Sequence, residues 1–600
     1  MKINNSERNR VFLLFIIFCL WVLFIGASLV KIQVVDYQKN VGKVEAQSNR
    51  TEILLPKRGT IFDCNGEVLA ISVKAQSLYF NNKNNGETQK LFTEISSANM
   101  LTFTPEEKKS IERRIRRGEK FIWIKRKLSD AEYENLKQIR KNPTAPAIMG
   151  FVEEYKRIYP QQTLASHILG GVGIDEQGLY GIEYSVNDIV RGKGCKVKVV
   201  QDARQKAFDI QYLDEPAEGK DVYLTIDASI QFFVEKELKA TIEKHSATCG
   251  MVIVMDSRKG ALLAMASYPD FNPNDIHSAS PKDIRNRAVS FVYHPGSTFK
   301  IITACTALES NICSMTQTFD CCNGRYQLTR DLRISDDHPH DQLSFEDVIV
   351  YSSNVGAAKI GEKLGRDRLY AGVTAFGFGQ KPNLGLPDEE SGLLRRKEKW
   401  NGISVDYVAH GYEIGVTPLQ MIRAYNAIAS GGYLLKPYII KEIQGVSQTP
   451  GPTTRKHILS SKTIQQMAAI MRQVVERGTG KNSKIDGLPI SAKTGTSKKI
   501  QRNKDGIRYY DSSFGGFFPS DDPRITMFVV IDEPKGQFYG GDVAAPLFKS
   551  VAEKVIAYLG IFPKPENPEN PNSDTNDHKD NNETNKINKT NNNNKAVTND

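Results

Sequence analysis

Arginine-rich arms, zinc-ligand spacings and RNA-binding aromatic motifs are all missing from this chain, although its formal charge is +11 and its pI is about 9.0. The basic balance therefore reads as a surface facing an anionic membrane or an acidic polymer, with no nucleic-acid partner. Cysteine is scarce and scattered, at Cys19, Cys64, Cys195, Cys249, Cys305, Cys313, Cys321 and Cys322. The vicinal pair has no histidine or second pair at metal-site spacing, so no metal site is expected. Small buried thiols are the expectation; in an oxidising compartment a bridge from Cys313 to Cys321 or Cys322 is the alternative. After Phe562 there is no aromatic residue and almost no apolar one. Residues 563–600 cannot bury enough surface to offset the ordering of their backbone and are expected to be a disordered tail.

Long apolar runs are absent too, with one exception. Residues 11–30, "VFLLFIIFCLWVLFIGASLV", carry no charge and are long enough to cross a bilayer as a helix. Lys2, Arg8 and Arg10 precede them and favour a cytoplasmic N-terminus. The run is longer than a usual signal core, so an uncleaved anchor over 11–31 is preferred to a cleaved signal peptide, with a cytoplasmic stub at 1–10. The rest of the chain then lies outside the cytoplasmic membrane.

Six hundred residues are too many for one core. Residues 32–219 mix short strand-like runs with charged helical pieces, and no reactive constellation stands out among them. "RGTIFDCNGEVLAIS" reads as a hairpin turning at Asn65-Gly66, and "FTPEEKKSIERRIRRGEKFIWI" as a surface helix ending at Gly118 followed by a strand. A composition shift near 220 opens a second domain, expected to run to 562. "CGMVIVMDSRKGALLAMASYP", "RYYDSSFGGFFP" and "RITMFVVIDEP" read as strands, and "APLFKSVAEKVIAYLGIF" as a helix. A mainly helical block over roughly 284–475 lies between these strand groups. The expected class is α+β, an antiparallel sheet with a helical insertion.

Three short motifs occur in order inside that second domain. Ser297-Thr298-Phe299-Lys300 follows a Pro295-Gly296 break; Ser352-Ser353-Asn354 opens or joins a helix; Lys493-Thr494-Gly495-Thr496 lies in a strand. Each is weak alone. Ser28 and Lys31 repeat the first spacing at the end of the apolar run, and Ser97/Asn99 and Ser185/Asn187 repeat the second. A lone Ser297 would most simply be a helix cap. Together, in order and in suitable settings, the three carry chemistry. A serine hydroxyl needs a base to become a nucleophile, and Lys300 serves only as a neutral amine. Burial and a second cation, expected to be Lys493, lower its pKa. Ser352 can relay a proton, and Asn354 can hold Lys300 or a substrate amide. Lys493, Thr494 and Thr496 can attract a terminal carboxylate, with Gly495 admitting the substrate backbone. The backbone N–H groups of Ser297 and Thr496 are candidate oxyanion donors.

S-x-x-K, S-x-N and K-T-G are the signature of penicillin-binding proteins. The chain resembles the class B members, monofunctional peptidoglycan D,D-transpeptidases, over nearly everything from residue 11 to about 562. "RGTIFDCNGEVLA" is similar to the family's pedestal motif, with Cys64 in place of its usual arginine. "SSFGGFFPSDDPRITMFVVIDEPKGQFYGGDVAAPLFKSVAE" resembles the FtsI-type, division-specific branch. The resemblance implies a penicillin-binding transpeptidase domain on a mixed α/β pedestal, known in the family as a dimerisation domain, with one N-terminal transmembrane helix. It implies attack of Ser297 on a D-Ala–D-Ala bond of a stem peptide, loss of D-alanine, and transfer of the acyl group to an amine. β-Lactams would acylate the same serine, with no cofactor. An FtsW-type glycosyltransferase and other divisome membrane proteins are the implied partners, at the septum of the inner membrane. An elongation-specific transpeptidase, a carboxypeptidase or a β-lactamase is the rival enzyme. An idle anchored scaffold or β-lactam sensor is the rival from another class.

Overall fold

The computed structural model describes residues 5–39, 49–54, 56–139, 145–201, 207–215, 217–448, 455–502 and 508–561. The expected tail over 563–600 lies outside them. Helix α1 (Asn5–Val30) carries the apolar run. The window Arg8–Val35 has a mean hydropathy of 2.9, and none of it is buried against the protein. Side chains such as Phe12, Leu23 and Phe24 face outward, so this helix is stable only where something apolar surrounds it, as a bilayer would.

The first folded unit is built on strands β1 (Ile61–Phe62) and β2 (Val68–Asn81), the expected hairpin, with Phe62 opposite Val68 across the Asn65-Gly66 turn. Helix α2 (Asn85–Ser97) follows, then α3 (Pro105–Arg116). Thr104 and Glu107 form a reciprocal capping box at the start of α3, with Pro105 in the first turn, as the sequence Thr-Pro-Glu-Glu requires. Strand β3 (Phe121–Lys125) pairs with the end of β2. Helix α4 (Asp130–Ile139) and strand β4 (Met149–Ile158) complete the layer, and β4 pairs antiparallel along most of β2. Phe80, Phe92, Ile115, Ile122 and Leu136 fill the space between helices and sheet.

Beneath this layer sits a buried ionic triad. Glu183, on the short helix α5 (Gly181–Ser185), accepts from Arg58 Nε at 2.7 Å and from Arg157 Nε at 2.6 Å. Arg58 also donates to the carbonyls of Glu176 and Glu183, and Arg157 to that of Gly59. All three side chains are buried. Burial alone would raise the Glu183 carboxyl; Arg157 and Arg58 more than offset it and hold the group ionised. Arg58 opens the "RGTIFD" segment, so the arginine of that stretch ties three distant pieces of chain together.

Strand β5 (Val222–Leu224) begins what the composition shift marks as the second domain. It runs parallel to β1, so one sheet is built from both sides of residue 220. The Asp63 carboxylate accepts from Ala228 N, and Asn65 Nδ2 donates to Asp227, the N-cap of helix α6 (Ala228–His245).

The second unit is a five-stranded antiparallel sheet. Strands β6 (Cys249–Asp256) and β7 (Leu262–Tyr268) come first in the chain. The helical block then supplies helix α7 (Lys300–Glu309), α8 (Asn354–Ala375, broken at Gly365) and α9 (Pro418–Ala429). Strand β8 (Ile440–Ile443) returns to pair with β5, and helix α10 (Ser461–Glu476) follows. Strands β9 (Ser491–Arg502), β10 (Arg508–Phe518) and β11 (Ile525–Asp532) then join the sheet in the order β7-β6-β11-β10-β9, and helix α11 (Gly540–Leu559) ends the described chain. Both faces are covered, which explains the continuous apolar runs "MVIVM" and "TMFVVI". Val252, Val254, Val529 and Ile531 pack towards α6 and α11, while Met251, Ile253, Phe528 and Val530 pack towards the helical block. The helical block is thus an insertion between β7 and β9, the two edge strands of this sheet. Cys313, Cys321 and Cys322 are free thiols, so the bridge considered for Cys313 is not formed; Cys313 and Cys321 are buried and Cys322 is half-buried.

Glu183→Ala leaves two buried guanidinium groups without a counter-charge, a loss worth about 3–5 kcal/mol. The expected result is a first unfolding transition moved to lower urea, with earlier proteolysis of the first folded unit than of the second.

Candidate active site

The three motifs meet where α7, α8 and β9 converge. Pro295 and Gly296 turn the chain into a 3₁₀ turn over Gly296–Phe299, and α7 continues from Lys300. Gly296 has φ +55°, and a Cβ there would stand 3.0 Å from the Thr496 carbonyl, so the turn fits only as glycine. Tyr425 of α9 fixes it from below, its hydroxyl donating to Thr298 O at 2.9 Å. Ser297 is half-buried and caps neither the turn nor α7. The hydroxyl meets Lys300 Nζ instead, at 3.0 Å.

Lys300 is fully buried. Its Nζ donates to Ser352 O at 2.6 Å and Asn354 Oδ1 at 2.7 Å, with Ser352 Oγ at 3.3 Å. Neither carbonyl-type oxygen can donate, so together they occupy the two hydrogens of a neutral amine. The lone pair is then free for the Ser297 hydroxyl proton. Ser352 itself stands in the left-handed region at φ +62°, which is uncommon for serine. That conformation lets one residue present both its carbonyl and its hydroxyl to Lys300.

Asp336 holds this loop, and nothing in the motif spacing points to it. Its carboxylate accepts from Ser353 Oγ at 2.6 Å, Asn354 N at 2.5 Å and Val355 N at 3.0 Å. Three charge-assisted bonds at the start of α8 satisfy helix N–H groups that lack intrahelical partners. Ser353 Oγ also caps Gly356 N. Asn354 Nδ2 donates to Ser335 O at 2.8 Å, which turns its Oδ1 towards Lys300. A polar stretch "SDDH" far from the motif is the only signal a sequence offers for Asp336.

Strand β9 closes the other side. Lys493 is fully buried, with Nζ donating to Ser352 Oγ at 2.8 Å and Thr494 O at 3.1 Å. It is not among the residues that line the cleft, whereas Thr494 and Thr496 are. Thr494 Oγ1 bonds Thr479 Oγ1 at 2.6 Å, and Thr496 Oγ1 accepts from Gly540 N at 3.0 Å. Gly495 differs from expectation. Its missing side chain faces inward, where a Cβ would come within 2.4 Å of Ser513 Oγ and 2.8 Å of Thr298. The glycine serves the packing of the Ser297 turn on β9, not the approach of a ligand.

Burial lowers the Lys300 pKa to about 8, against the upward pull of Asp336 and Asp337. Burial is again the first cause at Lys493, which lies well below the ordinary lysine value, with the Lys300 charge adding to the effect. Burial is the largest cause at both amines, and the two positive charges, where both are present, disfavour each other. His410, buried beside the site, is pushed down to about 3 by burial and by Lys300, so it adds no charge. The arrangement can take a proton from Ser297 and pass one through Ser352 between two amines. The cleft above has a volume of about 290 Å³ and is bordered by Tyr412, Tyr510 and Tyr539.

Comparison with known proteins agrees with this geometry. A model described as the penicillin binding protein transpeptidase domain matches residues 250–553, and one described as the penicillin-binding protein dimerisation domain matches 53–224. Stage V sporulation protein D of Bacillus subtilis is 31% identical over 583 residues, covering 94% of this chain and 88% of that protein. A probable peptidoglycan D,D-transpeptidase PenA of Neisseria meningitidis is 31% identical, with 92% and 93% covered. The peptidoglycan D,D-transpeptidase FtsI of Escherichia coli is 28% identical, with 94% of each covered. Among solved structures, penicillin binding protein 3 of Mycobacterium tuberculosis in complex with aztreonam has a TM-score of 0.65 at 25% identity, covering 86% of this chain and 98% of that one. The chain belongs to the class B penicillin-binding proteins, and its activity is that of a peptidoglycan D,D-transpeptidase.

Acylation that needs neutral Lys300 should rise with pH through about 8, not through the ordinary lysine value. Asp336 stabilises the protonated amine, so Asp336→Asn should move that rising limb to lower pH while lowering the plateau, since the Ser352–Asn354 loop loses its anchor. The pH dependence of acylation by a fluorescent penicillin measures both effects.

Proposed function

We propose that this chain cross-links stem peptides during septal cell-wall synthesis, through an acyl-enzyme on Ser297. One observation carries the site assignment: a fully buried lysine amine lies 3.0 Å from the Ser297 hydroxyl while two carbonyl-type acceptors take its hydrogens. Lys300 removes the hydroxyl proton as Ser297 attacks the D-Ala–D-Ala carbonyl. Ser352, between Lys300 and Lys493, carries a proton to the departing D-alanine amine. Thr494 and Thr496 hold the terminal carboxylate, Asn354 the stem amide, and Ser297 N and Thr496 N the oxyanion. The strand edge of β9 aligns the stem backbone. An amine of a neighbouring stem then takes the acyl group, and β-lactams, as ring-closed stand-ins for the same bond, stop at the first step.

The septal role is supported by the C-terminal segment that resembles the FtsI-type branch. It brings with it an FtsW-type glycosyltransferase and other divisome membrane proteins as partners, with α1 in the inner membrane and the remainder outside it. The similarity to stage V sporulation protein D favours a second reading, the same chemistry used in sporulation. Depleting the protein and locating new cross-links separates a septal from a sporulation or an elongation role.

Ser297→Ala should abolish covalent penicillin labelling while the fold persists. Mass spectrometry of the native adduct should place the penicilloyl group on the peptide that contains Ser297; an adduct elsewhere refutes the assignment. With stem peptides, dimers are expected. Trimmed tetrapeptides alone would indicate a carboxypeptidase.

A further inference from the structure

The charged side chains that border the cleft are Asp336, Asp337, His338, Lys498 and Asp542. Most of the acids are occupied. Asp336 accepts three hydrogen bonds from the loop of Ser353 to Val355. Asp542 accepts from Asn482 Nδ2 at 3.3 Å. Asp337 is exposed, and no described residue donates a hydrogen bond or forms an ion pair with its carboxylate. Its charge nevertheless reaches into the cleft, since it pulls upward on Lys300 and on the Tyr412 and Tyr539 hydroxyls.

The same cleft is rimmed by aromatic rings. Tyr510 and Phe538 stack at 4.1 Å between centroids, and Phe538 lies 4.7 Å from Tyr539. Ser512 Oγ ties this rim down by donating to Phe538 O at 2.5 Å. A free carboxylate bordering a cleft with fixed aromatic faces suits a cation, which gains from the charge and from the ring quadrupoles together. Lys498, exposed on the β9 side of the cleft, supplies the opposite sign, and no described residue forms an ion pair with its ammonium. The two walls together match a group that carries both an amine and a carboxylate.

We infer that Asp337 is a specificity residue of this cleft, holding a primary ammonium group carried by the peptide stem against the aromatic rim. The ammonium belongs either to the stem that acylates Ser297 or to the neighbouring stem, where it gives up one proton, finally to the neutral Lys300, before the free amine attacks the Ser297 ester and takes the acyl group. The inference rests on the assignment of Ser297 as the acylated residue.

Three penicillins separate the possibilities, because they differ at one carbon only: ampicillin carries an ammonium there, benzylpenicillin a hydrogen and carbenicillin a carboxylate. The ratio of acylation rate constants for ampicillin and carbenicillin should fall about fivefold in Asp337→Asn and persist in Asp337→Glu. The native ratio should also shrink with added salt. Normalising to benzylpenicillin removes any change in the nucleophile itself. A second arm forms the acyl-enzyme from a thioester and follows its partition between water and Nα-acetyl-lysine. A fall in the transferred fraction for Asp337→Asn places the ammonium on the accepting stem; a change in the penicillin ratio places it on the acylating stem. Unchanged values in both arms, with a benzylpenicillin adduct on Ser297 intact, overturn the role of Asp337 alone. Absence of that adduct from the native protein overturns the site assignment and this inference with it.

Discussion

A buried amine whose two closest partners are acceptors without a hydrogen to give is the constraint on which the rest of the site depends. Lys300 is enclosed by α7 and α8, and two of its near neighbours, Ser352 O and Asn354 Oδ1, can only accept. Protonated, the amine would keep a charge in a desolvated place; neutral, it directs its lone pair at Ser297. Much of the surrounding architecture serves that geometry. The left-handed Ser352 turns its carbonyl inward, Asp336 holds the loop, and Asn354 is oriented by its bond to Ser335. The strain at Ser352 persists because the three hydrogen bonds to Asp336 and the cap at Ser353 over-determine the loop.

The desolvation comes from the helical insertion. A sheet covered on both faces leaves only its edges, β7 and β9, open to a ligand, and the insertion brings the starts of α7 and α8 up against β9. Gly495 and Gly296 allow the contact, since a Cβ at either would collide with the facing backbone or side chains. Catalytic side chains on helices and a strand, not on free loops, are held to the tolerance such chemistry needs. The pedestal connects to this assembly through backbone pairing: β1 and β8 flank β5, and the hairpin carrying Cys64 abuts the start of α6. Cys64 stands there near Asp227, its thiol pushed up to about 12 by burial and the adjacent carboxylates. It is thus held as the thiol, and Asn65 and Tyr558 donate to the same Asp227 carboxylate.

What the sequence carried legibly was whatever repeats with a period or punctuates the chain. The strands "MVIVM" and "TMFVVI", the capped helix after Thr104 and the hairpin at Asn65-Gly66 all follow from local rules. The three motifs were legible as a set, because their order and spacing are those of a known constellation. The reasons for individual residues were less so. Gly495 reads as a place for a ligand until its inward Cβ direction is seen, and nothing in the sequence shows that Lys493 is buried. Asp336 and the Arg58–Glu183–Arg157 triad are long-range partnerships, 18 and 125 residues apart in chain for Asn354–Asp336 and Arg58–Glu183. Neither periodicity nor spacing encodes such pairs, so only the fold reveals them.

The two lysines share Ser352 as a common neighbour, and that sharing has a thermodynamic consequence. Each positive charge disfavours the other, and both are disfavoured by burial, so the pair is short of protons relative to two free lysines. An anion bound at Thr494 and Thr496, directly above Lys493, favours the protonated form of that lysine. Through mutual repulsion the same proton then disfavours charge on Lys300. Coupling of this kind is reciprocal: a neutral Lys300 eases protonation of Lys493 and so strengthens anion binding. On the proposed reading, a terminal carboxylate bound there would favour the neutral Lys300 that Ser297 needs, whereas an uncharged ligand would leave the proton free to settle on either amine. Burial of Lys493, which removes it from direct contact with the ligand, is what makes it responsive to the ligand's charge.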